Sequence, residues 1–386
     1  MLIASYVVDW AILIIFAGVG YAVGNITPNR RPINLQEPNI GLPYLGHDTI
    51  SLAVLFVVSL IAPAVIIFII SMLVVPGLTA TAGIPRAHIW RRRLWEWHVG
   101  WLGLALSLVI AWFFTSGMKN LFGKPRPNFL ERCQPDYAHA AQYIVGKMAD
   151  APNNGQLVYP GICTNSDKSV VDEGFRSFPS GHSSVSAAGL VYLCLILAAK
   201  LRSCTFSLSL STDSNDDASQ TAFPSRFSSG IDVQSSSPAT ETNDEANVAA
   251  RQKTSGNSGF SIRRQAAAAP LYALFIVLIP LGTAVFISSS RWSDFQHHGF
   301  DIIFGFLIGT ISSILGFRQY HLPVRRGAGW AWGPRNKDKA FWTGIGNGGF
   351  SAPKKVYHQR RTSVASVHDM QDNFHNGGIN HQDSTV

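Results

Sequence analysis

The stretch Ala267–Phe317, AAAPLYALFIVLIPLGTAVFISSSRWSDFQHHGFDIIFGFLIGTISSILGF, holds two apolar runs, Ala267–Ser288 and Gly299–Phe317, around a short polar turn. A hydrocarbon core takes about 20 helical residues to cross, so the chain reads as crossing a membrane, turning round and crossing again. The turn carries chemistry. Within SRWSDFQHHGFD, Ser290–Asp301, Arg291 stands six residues before His297 and Asp301 four after it. Four residues is one helical turn, so on a helix Asp301 and His297 share a face. The carboxylate is then expected to accept from one ring nitrogen and leave the other as a nucleophile. His298 points elsewhere on such a helix. Taken alone, such a pair is more often a polar helix start than a catalytic one.

Working outward, four more apolar runs appear at Leu2–Val23, Ser51–Val75, Val99–Met118 and Ser184–Ala199, making six in 386 residues that are 47% hydrophobic and 14% charged. The expected fold class is therefore all-α, a six-span transmembrane helical bundle. The net charge of +8 is not a nucleic-acid signal, because its cations sit beside the spans: Arg86 and Arg91–Arg93, Lys200, Arg202, Arg263 and Arg264, and Arg318, Arg325 and Arg326. With alternating spans all three groups fall on one side, and lysine and arginine mark the cytoplasmic side. Both termini are thus expected in the cytoplasm, and the bilayer is the expected partner. The first run lacks the basic start of a cleaved signal and reads as an uncleaved span.

The organisation follows: spans one to four over residues 1–200 with a lumenal loop at 119–183, a Ser-rich cytoplasmic insertion at 201–265, spans five and six over 266–317, and a cytoplasmic tail at 318–386. The insertion is too polar to bury a core and is expected to be disordered, as is most of the tail. Asn25–Ile50, rich in Pro, Asn and Gly, reads as an extended lumenal loop whose Asn25-Ile26-Thr27 fits a glycosylation acceptor close to the membrane. Pro63 is expected to kink span two, the tryptophan-rich turn Ile89–Trp97 to anchor at the interface, and Gly305 and Gly309 to allow close helix packing. Asp9 is near enough to a span end to reach water. Cys133 and Cys163 share the lumenal loop, and the sequence leaves their pairing open.

Two further stretches bear on chemistry. Lys119 and Arg126, in KNLFGKPRP, lie seven residues apart at the exit of span three, where they suit a phosphate clamp as well as ordinary snorkelling. In FPSGH, Phe178–His182, Ser180 suits a helix N-cap, Gly181 lets backbone come close to a ligand, and amides at the helix start attract an anion. His182 is then placed to donate to a leaving oxygen. Alternate crossing brings these stretches and the 290–301 turn out on the same, non-cytoplasmic side.

Together the three stretches KxxxxxxRP (Lys119–Pro127), PSGH (Pro179–His182) and SRxxxxxHxxxD (Ser290–Asp301) resemble the tripartite signature of the type 2 phosphatidic acid phosphatase superfamily, with every position present and in order. The six-span layout is similar to its integral-membrane lipid phosphate phosphatase branch and to fungal diacylglycerol pyrophosphate phosphatases. The resemblance implies an extracytoplasmic site that hydrolyses phosphatidate, lysophosphatidate or diacylglycerol pyrophosphate through a phosphohistidine. His297 would be nucleophile, Asp301 its orienting group and His182 the acid. Lys119, Arg126, Ser180, Gly181 and Arg291 would hold the phosphoryl oxygens, with no metal and no cofactor. A sphingoid-base-phosphate or polyprenyl-diphosphate phosphatase is the neighbouring alternative, and a membrane protein that binds or transports an anion without hydrolysis is the alternative of another class. The vacuole, Golgi, endoplasmic reticulum and plasma membrane all fit the sequence.

Overall fold

The computed structural model describes residues 2–75, 86–147, 156–201, 270–322 and 331–335. The contacts divide the chain into Met1–Val7 with Gly333–Val386, and Val8–Trp332. In the first unit the Arg335 guanidinium lies 4.7 Å from the Tyr6 ring centroid and bonds the Ser5 hydroxyl. The second unit holds the bundle. The expected disorder of residues 202–265 and of the tail beyond residue 335 lies outside the described residues.

Six helices are long and apolar enough to cross a membrane. They are α1 (Leu2–Gly24), α2 (Leu52–Leu73), α3 (Arg86–Phe122), α6 (Gly181–Leu201), α7 (Leu271–Ser293) and α8 (Gly299–Tyr320); two short helices, α4 (Phe129–Cys133) and α5 (Lys168–Gly174), lie between α3 and α6. The all-α bundle read from hydropathy is therefore the observed one, and the chain is a multi-pass membrane protein. Hydropathy misplaced one boundary. Ile89–Trp97 is not a turn but the first part of α3, which at about 1.5 Å per residue is roughly 55 Å long. That segment contains no Gly or Pro to stop a helix, and its Glu96 is held by Lys200 of α6 at 2.7 Å with both side chains buried. Near Pro63, α2 makes a π-turn over Val57–Ile61, in which Ala62 N–H reaches back to the Val57 carbonyl. The missing N–H of Pro63 frees the Ser59 carbonyl and favours this widening.

Helix α6 is the centre of the bundle, packed on α8, α7 and α3. Its GHSSVSAAG start is built of small residues, which let neighbouring backbones approach and leave hydroxyls to bond across helices. Ser107 Oγ donates to the Ala188 carbonyl at 2.8 Å, Thr115 Oγ1 to Ser184 Oγ at 2.8 Å, and the buried Tyr192 OH to the Gly100 carbonyl at 2.9 Å. Gly305 and Gly309 of α8 face it: a Cβ on either would run into the carbonyl of Ser180 or of Ser184.

The connections at one end of the bundle are not the plain loops expected. Strands β1 (Ile33–Asn34), β2 (Ile144–Lys147) and β3 (Gln156–Val158) form an antiparallel sheet in the order β1-β3-β2. Ile33, Ile40, Phe129, Val158, Ile162, Val171 and Phe175 make its core, and Cys133 and Cys163 are joined in a disulfide. Strands this short have no legible alternation. Replacing Gly309 by Leu is expected to lower the thermal midpoint of the detergent-purified protein by several degrees, for a cost of about 1–3 kcal/mol. The lipid-facing change Ile311→Leu on the same helix serves as the comparison, and equal midpoints would contradict the packing described.

Candidate active site

At one end of the bundle the last turns of α3 and α7 meet the first turns of α6 and α8. A cavity of about 490 Å³ opens there, lined by Lys119, Arg126, Gly181, His182, Arg291 and His297, with Tyr21, Gly24, Leu52, Leu55 and Trp112 on its apolar side. Six of the eight residues singled out in the sequence thus share one cavity. Ser180 and Asp301 stand behind its wall, both fully buried.

His297 is oriented differently from the sequence expectation. Helix α7 ends at Ser293, Phe295 takes a left-handed φ of 53°, and His298 is the N-cap of α8. His297 is therefore outside the helix, and the one-turn relation to Asp301 does not apply. Its Nδ1 lies 2.6 Å from the Ser177 carbonyl. A carbonyl only accepts, so Nδ1 carries the proton and Nε2 keeps the lone pair. Burial, and then the nearby Arg126 and Lys119 cations, hold the imidazole well below its ordinary pKa and hence neutral.

Asp301 sits one link further back. Its carboxylate accepts from Ser177 Oγ at 2.5 Å, Lys124 Nζ at 2.8 Å, and His298 at its backbone N–H, 3.2 Å, and Nδ1, 3.1 Å. It closes a capping box at the start of α8. Asp301 and His297 are thus joined through Ser177, whose hydroxyl donates to one and whose carbonyl holds the other.

Arg126 and Arg291 each have their own brace. Arg126 sends Nε to the Glu173 carbonyl at 2.9 Å, Nη1 to Gln296 Oε1 at 2.6 Å and Nη2 to the Glu173 carboxylate. Burial works to raise the Glu173 carboxyl, but Arg126, Lys119 and Arg176 outweigh it and hold it at about 2. Arg291, 1% exposed, lies between Asp294 at 2.6 Å and Asp48 at 3.4 Å. His182 Nε2 donates to the Ile50 carbonyl at 3.1 Å. Ser180 is the helix N-cap expected, its hydroxyl accepting from the Ser183 N–H at 3.5 Å and bonding Ser183 Oγ at 3.1 Å, while its own N–H donates to the Asp301 carbonyl at 2.9 Å. It ties α6 to α8 and does not face the cavity.

The sequence matches the PAP2 superfamily over residues 100–325, which takes in all three signature stretches. The chain belongs to the PAP2 superfamily. It is 24% identical over 316 residues to diacylglycerol pyrophosphate phosphatase 1 of Saccharomyces cerevisiae, covering 82% of this chain and 80% of that one. It is likewise 24% identical over 318 residues to the probable diacylglycerol pyrophosphate phosphatase 1 of Schizosaccharomyces pombe, covering 82% and 81%. With lipid phosphate phosphatase 1 of Arabidopsis thaliana it shares 26% over 326 residues, covering 83% and 70%. No solved structure matches it significantly.

Around the signature of this PAP2 chain lie residues that sequence reasoning missed. Asp294 is three residues from Arg291, a spacing that signals a helix-surface pair. Ser177, Lys124 and Gln296 are each within a few residues of a signature position but fit no chemical pattern. Asp48 and Thr49 come from the first loop; Thr49 bonds Asp294 through its N–H at 2.9 Å and its hydroxyl at 2.5 Å. Arg132 and Arg176 also line the cavity. Burial, and then the adjacent Arg126, pull the Arg132 guanidinium down to about 10.

Proposed function

We propose that this chain is a membrane phosphatase that removes the terminal phosphoryl group of lipid phosphates, phosphatidate, lysophosphatidate or diacylglycerol pyrophosphate, through a phosphohistidine on His297. The observation that carries the reading is the Nδ1 bond from His297 to the Ser177 carbonyl, which leaves a neutral Nε2 in a cavity with Lys119, Arg126 and Arg291. An anion that merely binds needs the cations; it does not need an unprotonated imidazole held by its far nitrogen.

In the first step Nε2 attacks phosphorus and the bond to the leaving oxygen breaks. His182, protonated once the phosphoryl anion is bound beside it, gives its proton to that oxygen from the nitrogen not engaged by Ile50. Lys119, Arg126 and Arg291 hold the equatorial oxygens, as fixed charges that need no rearrangement during the reaction. Water then attacks the phosphohistidine, the now neutral His182 takes its proton, and phosphate leaves. Gly181 lets the first turn of α6 come against the phosphoryl group, while Asp301 and Ser180 act by positioning. The electrostatic work rests on these side chains, with no metal or cofactor in the scheme. The relatives named as diacylglycerol pyrophosphate phosphatase and lipid phosphate phosphatase support the substrate class.

A site on the extracytoplasmic face is supported by two features. The Cys133–Cys163 disulfide belongs to the connections on the cavity's end, and such bonds persist in oxidising compartments. The helix ends carrying Arg86–Arg93, Lys200 and Arg318 are the opposite ones. Acyl chains would remain in the bilayer beside Tyr21, Leu52 and Trp112.

Acid quench of the enzyme with radioactive lipid phosphate is expected to leave label on the protein, and His297→Ala to abolish both label and turnover, by about 10³-fold or more. Unlabelled but active protein would refute the covalent route. Because the His297 pKa is lowered, the nucleophile is lost only as pH falls well below 6.5. The acid limb of kcat/KM, corrected for substrate ionisation near 6, is expected well below pH 6.5; a limb centred at 6.5 or above would contradict the neutral histidine. Activity should persist in excess EDTA, and its loss with recovery on adding metal would sink the metal-free scheme.

A further inference from the structure

The PAP2 signature accounts for three cations, yet five line the cavity: Lys119, Arg126, Arg132, Arg176 and Arg291. Arg176 is spoken for, with Nε on Asn120 Oδ1 at 2.9 Å, Nη1 on Glu173 at 3.3 Å and Nη2 on the Ile26 carbonyl at 2.9 Å. Arg132 is not. It is 5% exposed, and among the described residues its partners are all neutral: Asn128 Oδ1 at 2.9 Å, Gln296 Oε1 at 3.0 Å and the Tyr44 ring, 4.1 Å from the guanidinium to the centroid. Glu173 and Asp48 act on it only through space, so among the described residues no carboxylate touches this buried guanidinium, and it is open to a bound anion.

Its position says which anion. Gln296 Oε1 accepts from Arg132 and, at 2.6 Å, from Arg126, so the two guanidiniums converge on one neutral oxygen beside the reacting centre. The cavity stays net positive: its five cations face the lining carboxylates Asp48 and Glu173 and the Asp294 paired with Arg291, an excess of two.

We propose that Arg132, stacked on Tyr44 and adjacent to Arg126, forms a second phosphoryl subsite that selects lipids whose headgroup ends in a pyrophosphate over those ending in a monophosphate. This rests on the phosphatase reading above. The terminal phosphoryl lies at His297 and the inner one at Arg132. Nε2 forms the N–P bond, the anhydride P–O bond breaks, and its electron pair leaves on the lipid monophosphate, which takes its proton from His182. The fork of Arg132 stabilises the charge gathering on that leaving phosphate.

The test is the ratio of kcat/KM for a lipid pyrophosphate to that for phosphatidate of the same acyl chains, measured on one preparation in the same mixed micelles. This ratio does not depend on how much of the preparation is folded. Arg132→Gln is expected to lower it by about 10- to 100-fold, the worth of a charged hydrogen bond, and Arg132→Lys, which keeps charge but not the fork, to lower it less. If Arg132→Gln is inactive on both lipids, the lysine variant decides, a wild-type ratio there overturning the subsite. Competition by inorganic pyrophosphate against inorganic phosphate separates this proposal from the broader one. Wild type should bind pyrophosphate at least about tenfold more tightly, an advantage that shrinks with Arg132→Gln. Equal affinities overturn the subsite and leave the phosphatase reading standing. Wild-type protein inactive on both lipids but still preferring pyrophosphate would overturn hydrolysis and support the subsite.

Discussion

A neutral imidazole kept beside several permanent cations is the constraint on which this site depends. His297 is buried near Lys119 and Arg126, an environment that disfavours its protonation, and the Ser177 carbonyl fixes which nitrogen holds the one remaining proton. Ser177 is itself fixed at both ends: its N–H donates to the Lys124 carbonyl at 3.1 Å and its hydroxyl to Asp301. Lys124 in turn pairs with Asp301 through its side chain. The exit of α3, the approach to α6 and the entry of α8 are therefore stitched together within one small polar network, and a shift in any of them moves His297.

The bundle makes that network possible. Small residues on α6 and Gly305 and Gly309 on α8 bring the two helices close enough for Ser180 N–H to bond the Asp301 carbonyl. Larger side chains there would separate the two helix starts that hold His182 and Asp301. The extramembrane connections add the opposite wall. Leu42 N–H bonds the Pro127 carbonyl at 2.9 Å and Arg30 pairs with Asp172 at 2.7 Å, so the first loop is held over the site and delivers Asp48, Thr49 and Tyr44. The disulfide closes the same layer.

Such a density of buried charge is not a source of stability, since desolvation offsets much of the attraction in a buried ion pair. Its worth is in preorganisation: Asp48 and Asp294 aim Arg291, Glu173 and Gln296 aim Arg126, and both guanidiniums are fixed at the cavity wall. The same reasoning makes Arg132 informative, because among the described residues it is aimed by neutral groups, Asn128, Gln296 and the Tyr44 ring.

The sequence by itself determined the six spans, the end of the bundle at which the chemistry-bearing residues gather, and the membership of six of them in one cavity. Hydropathy and helix-end signals are local properties, and alternate crossing turns local facts into sidedness. Only the tertiary structure decided what holds His297, for Ser177 is 120 residues away, and it set Ser177 between His297 and the Asp301 expected to touch it directly. It alone joined Cys133 to Cys163, built a sheet from strands too short to read, and set Asp48 against Gln296 across 248 residues. Those contacts depend on where distant loops come to rest over the bundle, and no spacing along the chain encodes that.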